Sequence, residues 1–83
     1  MITLTQKQYD TLLFIQQYTD TYHEPPLQIE IARHFGVSAP TMDERLKALR
    51  SRGYVEWEKQ VRRSIRVRRW PSMERVNKER IAA

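Results

Sequence analysis

The chain has 83 residues, of which 40% are hydrophobic, and carries a formal net charge of +5. That is one small domain, near the lower size limit for a self-supporting core. No run approaches eighteen apolar residues, which excludes a membrane span, and the N-terminus lacks the basic and apolar regions of a secretory signal, so a cytoplasmic protein is expected. Cysteine is absent, which removes disulfides, thiolate metal sites and a cysteine nucleophile together. His23 and His34 stand at no metal-ligand spacing. No cofactor, small-molecule ligand or enzymatic activity is expected.

Charge is unevenly spread along the chain. Through Glu44, Lys7 and Arg33 face six acidic residues, a net of −4, whereas from Arg45 onward thirteen basic residues face four acidic ones, a net of +9. Such polarisation points to a polyanionic partner. The basic residues alternate with strand-forming apolar ones instead of lining an amphipathic helix, which favours nucleic acid over a membrane surface.

The elements follow in chain order. Thr5 with Gln8 forms a capping-box signature that opens a helix over about residues 6–22. Leu12, Ile15, Tyr18 and Thr19 share one face of it, with Phe14 beside them. Pro25-Pro26 blocks continuation, because proline lacks the N–H and restricts the residue before it. A second, short helix spans about residues 28–35 with Ile31, Ala32 and Phe35 as its apolar set, and Gly36 ends it as a left-handed cap.

Ser38 caps a third helix, which tolerates Pro40 in its first turn and stops at Gly53. Met42, Leu46 and Leu49 make one buried stripe along it. The period then changes to two. Tyr54, Val55 and Trp57 read as one strand, and Ile65 with Val67 as another, with Arg66 and Arg68 turned outward. Between them, residues 58–64 form a hairpin tip without glycine that carries Lys59, Arg62 and Arg63. After Trp70-Pro71 a basic tail, residues 71–83, has the pattern of one more short helix over about residues 72–81.

The expected fold is therefore mainly α with a small β-hairpin: a winged helix-turn-helix over residues 1–70, three helices plus a two-stranded wing. Burial of the third helix along its apolar stripe turns Thr41, Asp43, Glu44 and Lys47 outward, at a width that fits the major groove of double-stranded DNA. Ser38 and Ala39 sit at its first turn, Arg45 at the flank of the stripe as a phosphate or edge contact, and Lys47, Arg50 and Arg52 match the nearby sugar-phosphate backbone. Lys59, Arg62 and Arg63 on the wing are expected to reach a flanking phosphate or the minor groove, adding affinity with little sequence information.

At these residues the chain resembles the DNA-binding domain of LexA-type repressors. The resemblance is carried by Leu4-Thr5-x-x-Gln8, Leu12, Phe14-Ile15, Pro25-Pro26, Glu30-Ile31-Ala32, Phe35-Gly36, Leu46-Lys47-Ala48-Leu49, Arg52-Gly53-Tyr54-Val55-Glu56 and Ile65-Arg66-Val67. It covers about residues 2–69 and implies a transcriptional repressor that occupies operators, usually as a dimer on paired half-sites. Full-length members carry a second domain whose serine-lysine pair cuts an Ala-Gly bond; these 83 residues contain no Ala-Gly pair, and a stand-alone DNA-binding domain is expected. Leu27 stands where the family commonly has a capping threonine, so Gln28, through its side chain or the free N–H groups of that turn, takes over the cap and a phosphate contact.

A single winged helix gains discrimination from a second copy. Candidate homodimer contacts are Tyr9 and Leu13 on the first helix and Trp70, Met73, Val76 and Ile81 beyond the wing; the alternative is that the tail folds back over Tyr9 and Leu13 in the same chain. Trp57 is read as core and not as a platform for unpaired bases. The competing functional reading is a winged-helix protein-interaction module acting on another regulator or a polymerase, which has no need of the Thr41, Glu44 and Lys47 row or of the wing arginines.

Overall fold

The computed structural model describes residues 4–71 of the chain. Three helices, α1 (Gln6–Tyr22), α2 (Gln28–Phe35) and α3 (Ala39–Ser51), precede two short strands, β1 (Val55–Glu56) and β2 (Arg66–Val67). The fold is the winged helix-turn-helix that the sequence pattern predicts. The helix expected over residues 72–81 lies outside the described residues.

Helix α1 starts on the Thr5–Gln8 capping box. The Gln8 N–H donates to Thr5 Oγ1 at 3.1 Å and the Thr5 N–H donates to Gln8 Oε1 at 3.0 Å, so two otherwise orphaned donors are satisfied reciprocally. Its end is set before the prolines act: His23 adopts a left-handed φ of 61° and its N–H closes on the Thr19 carbonyl at 2.8 Å.

Helix α2 has no side-chain cap at Leu27. Glu30 supplies the reciprocal half of a capping box, its Oε1 accepting the Leu27 N–H at 2.7 Å. Gln28, expected to take that duty, instead turns toward α3. Gly36 ends α2 in the left-handed region, at φ 68°, as its position predicts. Ser38 opens α3: its Oγ accepts the Thr41 N–H at 3.3 Å and donates to Thr41 Oγ1 at 2.9 Å.

The three helices close over Leu12, Ile15, Ile31, Ala32, Met42, Leu46 and Leu49, with Leu4 from the N-terminal segment and Tyr54, Val55 and Ile65 from the wing completing one core. The strands pair antiparallel in the register Val55↔Val67 and Glu56↔Arg66, so Val55 faces the core while Arg66 stays exposed. Two residues per strand make a weak ladder. The hairpin tip is therefore knit by other means. Ser64 Oγ accepts the Glu58 N–H at 3.0 Å and donates to the Val61 carbonyl at 2.9 Å, and the chain reverses through left-handed Gln60 and Arg63 at φ 67° and 52°.

Candidate nucleic-acid interface

The buried stripe of α3 decides what its other side presents. Met42, Leu46 and Leu49 are fully enclosed, and on the opposite side of the helix Thr41, Glu44 and Lys47 lie exposed, with Ser38, Ala39 and Pro40 at the start of the same surface. Ser51 also belongs to this row, exposed, with its hydroxyl donating to the Ala48 carbonyl at 2.9 Å. The sequence signal for it is its spacing of seven from Glu44, which residue type alone does not bring out.

Three expected contact residues are tied together at the α2–α3 junction. Gln28 Nε2 donates to Asp43 Oδ1 at 3.3 Å, and Lys47 Nζ lies 2.9 Å from Asp43 Oδ2. The Lys47 ammonium, and then the Gln28 amide, hold the Asp43 carboxyl below its usual range. Asp43 is thus half-buried and engaged within the molecule, while Lys47 keeps an exposed side chain.

The arginines divide sharply. Arg45 turns back across the fold: its guanidinium carbon is 5.7 Å from the Phe35 ring centroid and Nη1 reaches Thr11 Oγ1 at 3.5 Å. Arg52 buries one guanidinium nitrogen, and its carbonyl accepts from Arg69 Nη2 at 2.7 Å. Both side chains are half-buried. Arg50 is exposed and lies over the outer face of Trp57, which packs its other side on the core. Beside it opens a cleft of about 490 Å³ rimmed by Arg50, Arg68 and Arg69. Arg68 is paired there with Glu56 at 3.1 Å, and Arg69 stacks 4.3 Å from the Tyr54 centroid.

On the wing, Lys59 and Arg62 stand exposed at the tip. Arg63, expected beside them, points inward. Its Nη1 lies 2.9 Å from Glu30 Oε1, 3.2 Å from Tyr18 Oη and 3.1 Å from the Pro25 carbonyl; Nη2 lies 3.2 Å from Glu30 Oε2. Its backbone is left-handed here, at φ 52°, and its partners lie on α1, the proline elbow and α2. The bond from Arg63, seconded by the Leu27 N–H, lowers the pKa of Glu30, and Glu30 in turn raises that of Arg63.

Of the candidate dimer residues, Trp70 meets Tyr9 of the same chain edge-on, at 6.2 Å and 73°, and remains 43% exposed. Leu13 is half-buried. Met73, Val76 and Ile81 lie outside the described residues. Among the described residues no helix is long and apolar enough to cross a membrane, and no cluster of three or more His, Asp or Glu residues could hold a metal ion.

A helix that turns a polar face to solvent beside a basic two-stranded hairpin defines a winged helix-turn-helix domain of the nucleic-acid-binding class. Residues 1–64 match the model of the LexA DNA binding domain, and the chain belongs to that family. It is 38% identical over 65 residues to the LexA repressor of Haemophilus ducreyi, an overlap of 77% of this chain and 31% of that protein. It is 40% identical over 68 residues to the LexA repressors of Thiobacillus denitrificans and Cellvibrio japonicus, covering 81% of this chain and 34% of each relative. The chain thus spans about a third of the length of these relatives.

Proposed function

We propose that the chain is a sequence-specific, double-stranded DNA-binding transcriptional regulator of the cytoplasm, acting as a repressor. Helix α3 enters the major groove, and the wing lies on flanking phosphate or in the minor groove. The observation that carries this reading is the exposed Thr41, Glu44 and Lys47 row backed by a fully enclosed apolar stripe, with Lys59 and Arg62 exposed on the adjoining wing. Glu44 accepts from a cytosine amino group, Thr41 serves a base or a phosphate, and Lys47 meets a base edge or the backbone. Ser38, Ala39, Gln28 and Arg50 flank that footprint. The names of the relatives support repression as the outcome of binding. Two copies on paired half-sites, meeting through Tyr9, Leu13 and Trp70, supply the remaining discrimination.

Selection from a randomised duplex pool at near-physiological salt tests this. An enriched motif, palindromic if two copies bind, is the expected result. Uniform, salt-labile retention with no motif overturns it. The open groove formed by Phe14, Tyr18, Tyr22 and His34, with Tyr22 61% exposed, would then favour the protein-interaction reading.

A further inference from the structure

We propose that Arg63 is the positioning residue of the wing: its clasp on Glu30 fixes where Lys59 and Arg62 stand, and Arg63 itself touches no phosphate. The wing's own ladder is two residues per strand, too short to hold a hairpin in place unaided. Arg63 supplies the missing restraint by joining the tip to three separate elements. Its guanidinium meets Tyr18 near the end of α1, the Pro25 carbonyl in the proline elbow, and both carboxylate oxygens of Glu30 in the first turn of α2. A fourth partner, Glu24, lies 3.6 Å from Nε.

Glu30 is itself immobilised, by the Leu27 N–H at 2.7 Å and the Tyr18 hydroxyl at 3.2 Å. A bidentate arginine–carboxylate pair is directional as well as strong, so it fixes an angle and not merely a distance. Arg63 also sits at a left-handed φ of 52°. Side chains other than glycine hold that conformation where their surroundings over-determine it. Adjacent Arg62 remains exposed at the tip, so two neighbouring arginines divide into one that anchors and one that is presented.

The part played on DNA rests on the function proposed above, and Glu30→Gln in the full chain separates the two. This change removes one negative charge and frees Arg63. If charge alone matters, DNA is bound as tightly or more tightly, with an equal or steeper salt dependence. If the clasp positions the wing, binding to the selected duplex weakens about tenfold. The slope of log Kobs against log salt then becomes shallower by about 0.9 for each phosphate that the wing no longer reaches. Adding Lys59→Ala and Arg62→Ala to Glu30→Gln costs nothing further, and Arg63→Gln behaves as Glu30→Gln does.

A second readout needs no DNA. Amide exchange at Glu58 and Val61, whose N–H groups close the tip, is expected to quicken about tenfold or more in Glu30→Gln. It quickens by a smaller factor in Tyr18→Phe, which keeps the ring and removes only the hydroxyl. Unchanged exchange in both variants, or DNA binding by Glu30→Gln as tight as or tighter than wild type, overturns the proposal. A wild-type chain that selects no motif overturns the DNA reading, while the exchange result still decides whether Arg63 holds the wing.

Discussion

The guanidinium carbon of Arg50 lies 4.4 Å from the centroid of the Trp57 ring, joining the last turn of α3 to the root of the wing. The indole rests on the core with one side and carries the cation on the other. Arg50 is therefore held in one direction, which in the proposed binding mode lowers the ordering cost of a backbone contact. An exposed cation–π pair of this kind contributes about 0.5–1 kcal/mol. Arg50→Ala is expected to lower stability by that amount in urea titrations and to flatten the salt dependence of DNA binding by about 0.9. Arg50→Lys should keep the slope while losing part of the stability. An unchanged slope in the alanine variant would remove Arg50 from the interface.

In the proposed binding mode, base reading and backbone holding separate by position on the surface. Glu44 stands exposed in the middle of the α3 row, and Lys59 stands at the wing tip. Glu44→Ala is expected to relax preference at one position of the selected motif, by about 1–3 kcal/mol of discrimination. Lys59→Ala should weaken every sequence alike. Repeating the duplex selection with each variant distinguishes them, and a motif left intact by Glu44→Ala would move base recognition to Thr41 or Lys47.

The helices are legible in the sequence because their signals are local. Thr5 with Gln8, Gly36, and the Met42, Leu46 and Leu49 stripe each act within two turns, and each stands where the pattern predicts. The start of α2 is less so, since Glu30 keeps one half of a capping box while Leu27, with no acceptor in its side chain, hides the signature. The wing shows the limit plainly. Arg62 and Arg63 are chemically identical neighbours, and what divides them is one left-handed φ and a carboxylate 33 residues away in sequence. Spacing reports neighbours along an element; it carries nothing about a partner reached only after the chain has folded. Arg45, read at the flank of the stripe, likewise finds partners that spacing does not show, Thr11 of α1 and Phe35 of α2.

Gly36 offers a clean test of the turn between α2 and α3. A Cβ built there meets nothing within 4 Å, yet the residue sits at φ +68°. Gly36→Ala therefore introduces backbone strain without a clash, and the expected loss is about 1–2 kcal/mol. Leu46→Ala, at a fully enclosed site, should cost about 2–5 kcal/mol through forfeited transfer energy and a residual cavity. Urea midpoints measure both. A loss at Gly36 as large as that at Leu46 would mean that the turn governs helix placement as strongly as the core does.

The charge state of Glu30 should set the acid sensitivity of the fold. Arg63 from the wing, the Leu27 N–H and the Tyr18 hydroxyl all favour its carboxylate, and together they outweigh partial burial. Its pKa is therefore lower in the folded chain than in the unfolded one. For a lowered acid the stabilising contribution is complete above the unfolded value and is lost as pH falls through the folded value. Stability should thus decline from about pH 4.5 downward, the ordinary value for this group. Glu30→Gln should flatten that part of the profile while lowering the plateau near neutrality. Asp43, lowered by Lys47 and Gln28, titrates in the same direction, so Asp43→Asn is the necessary companion. Urea unfolding between about pH 3 and pH 7 resolves the two contributions. If the Glu30→Gln profile keeps its full acid decline, the wing clasp is not where the protons act.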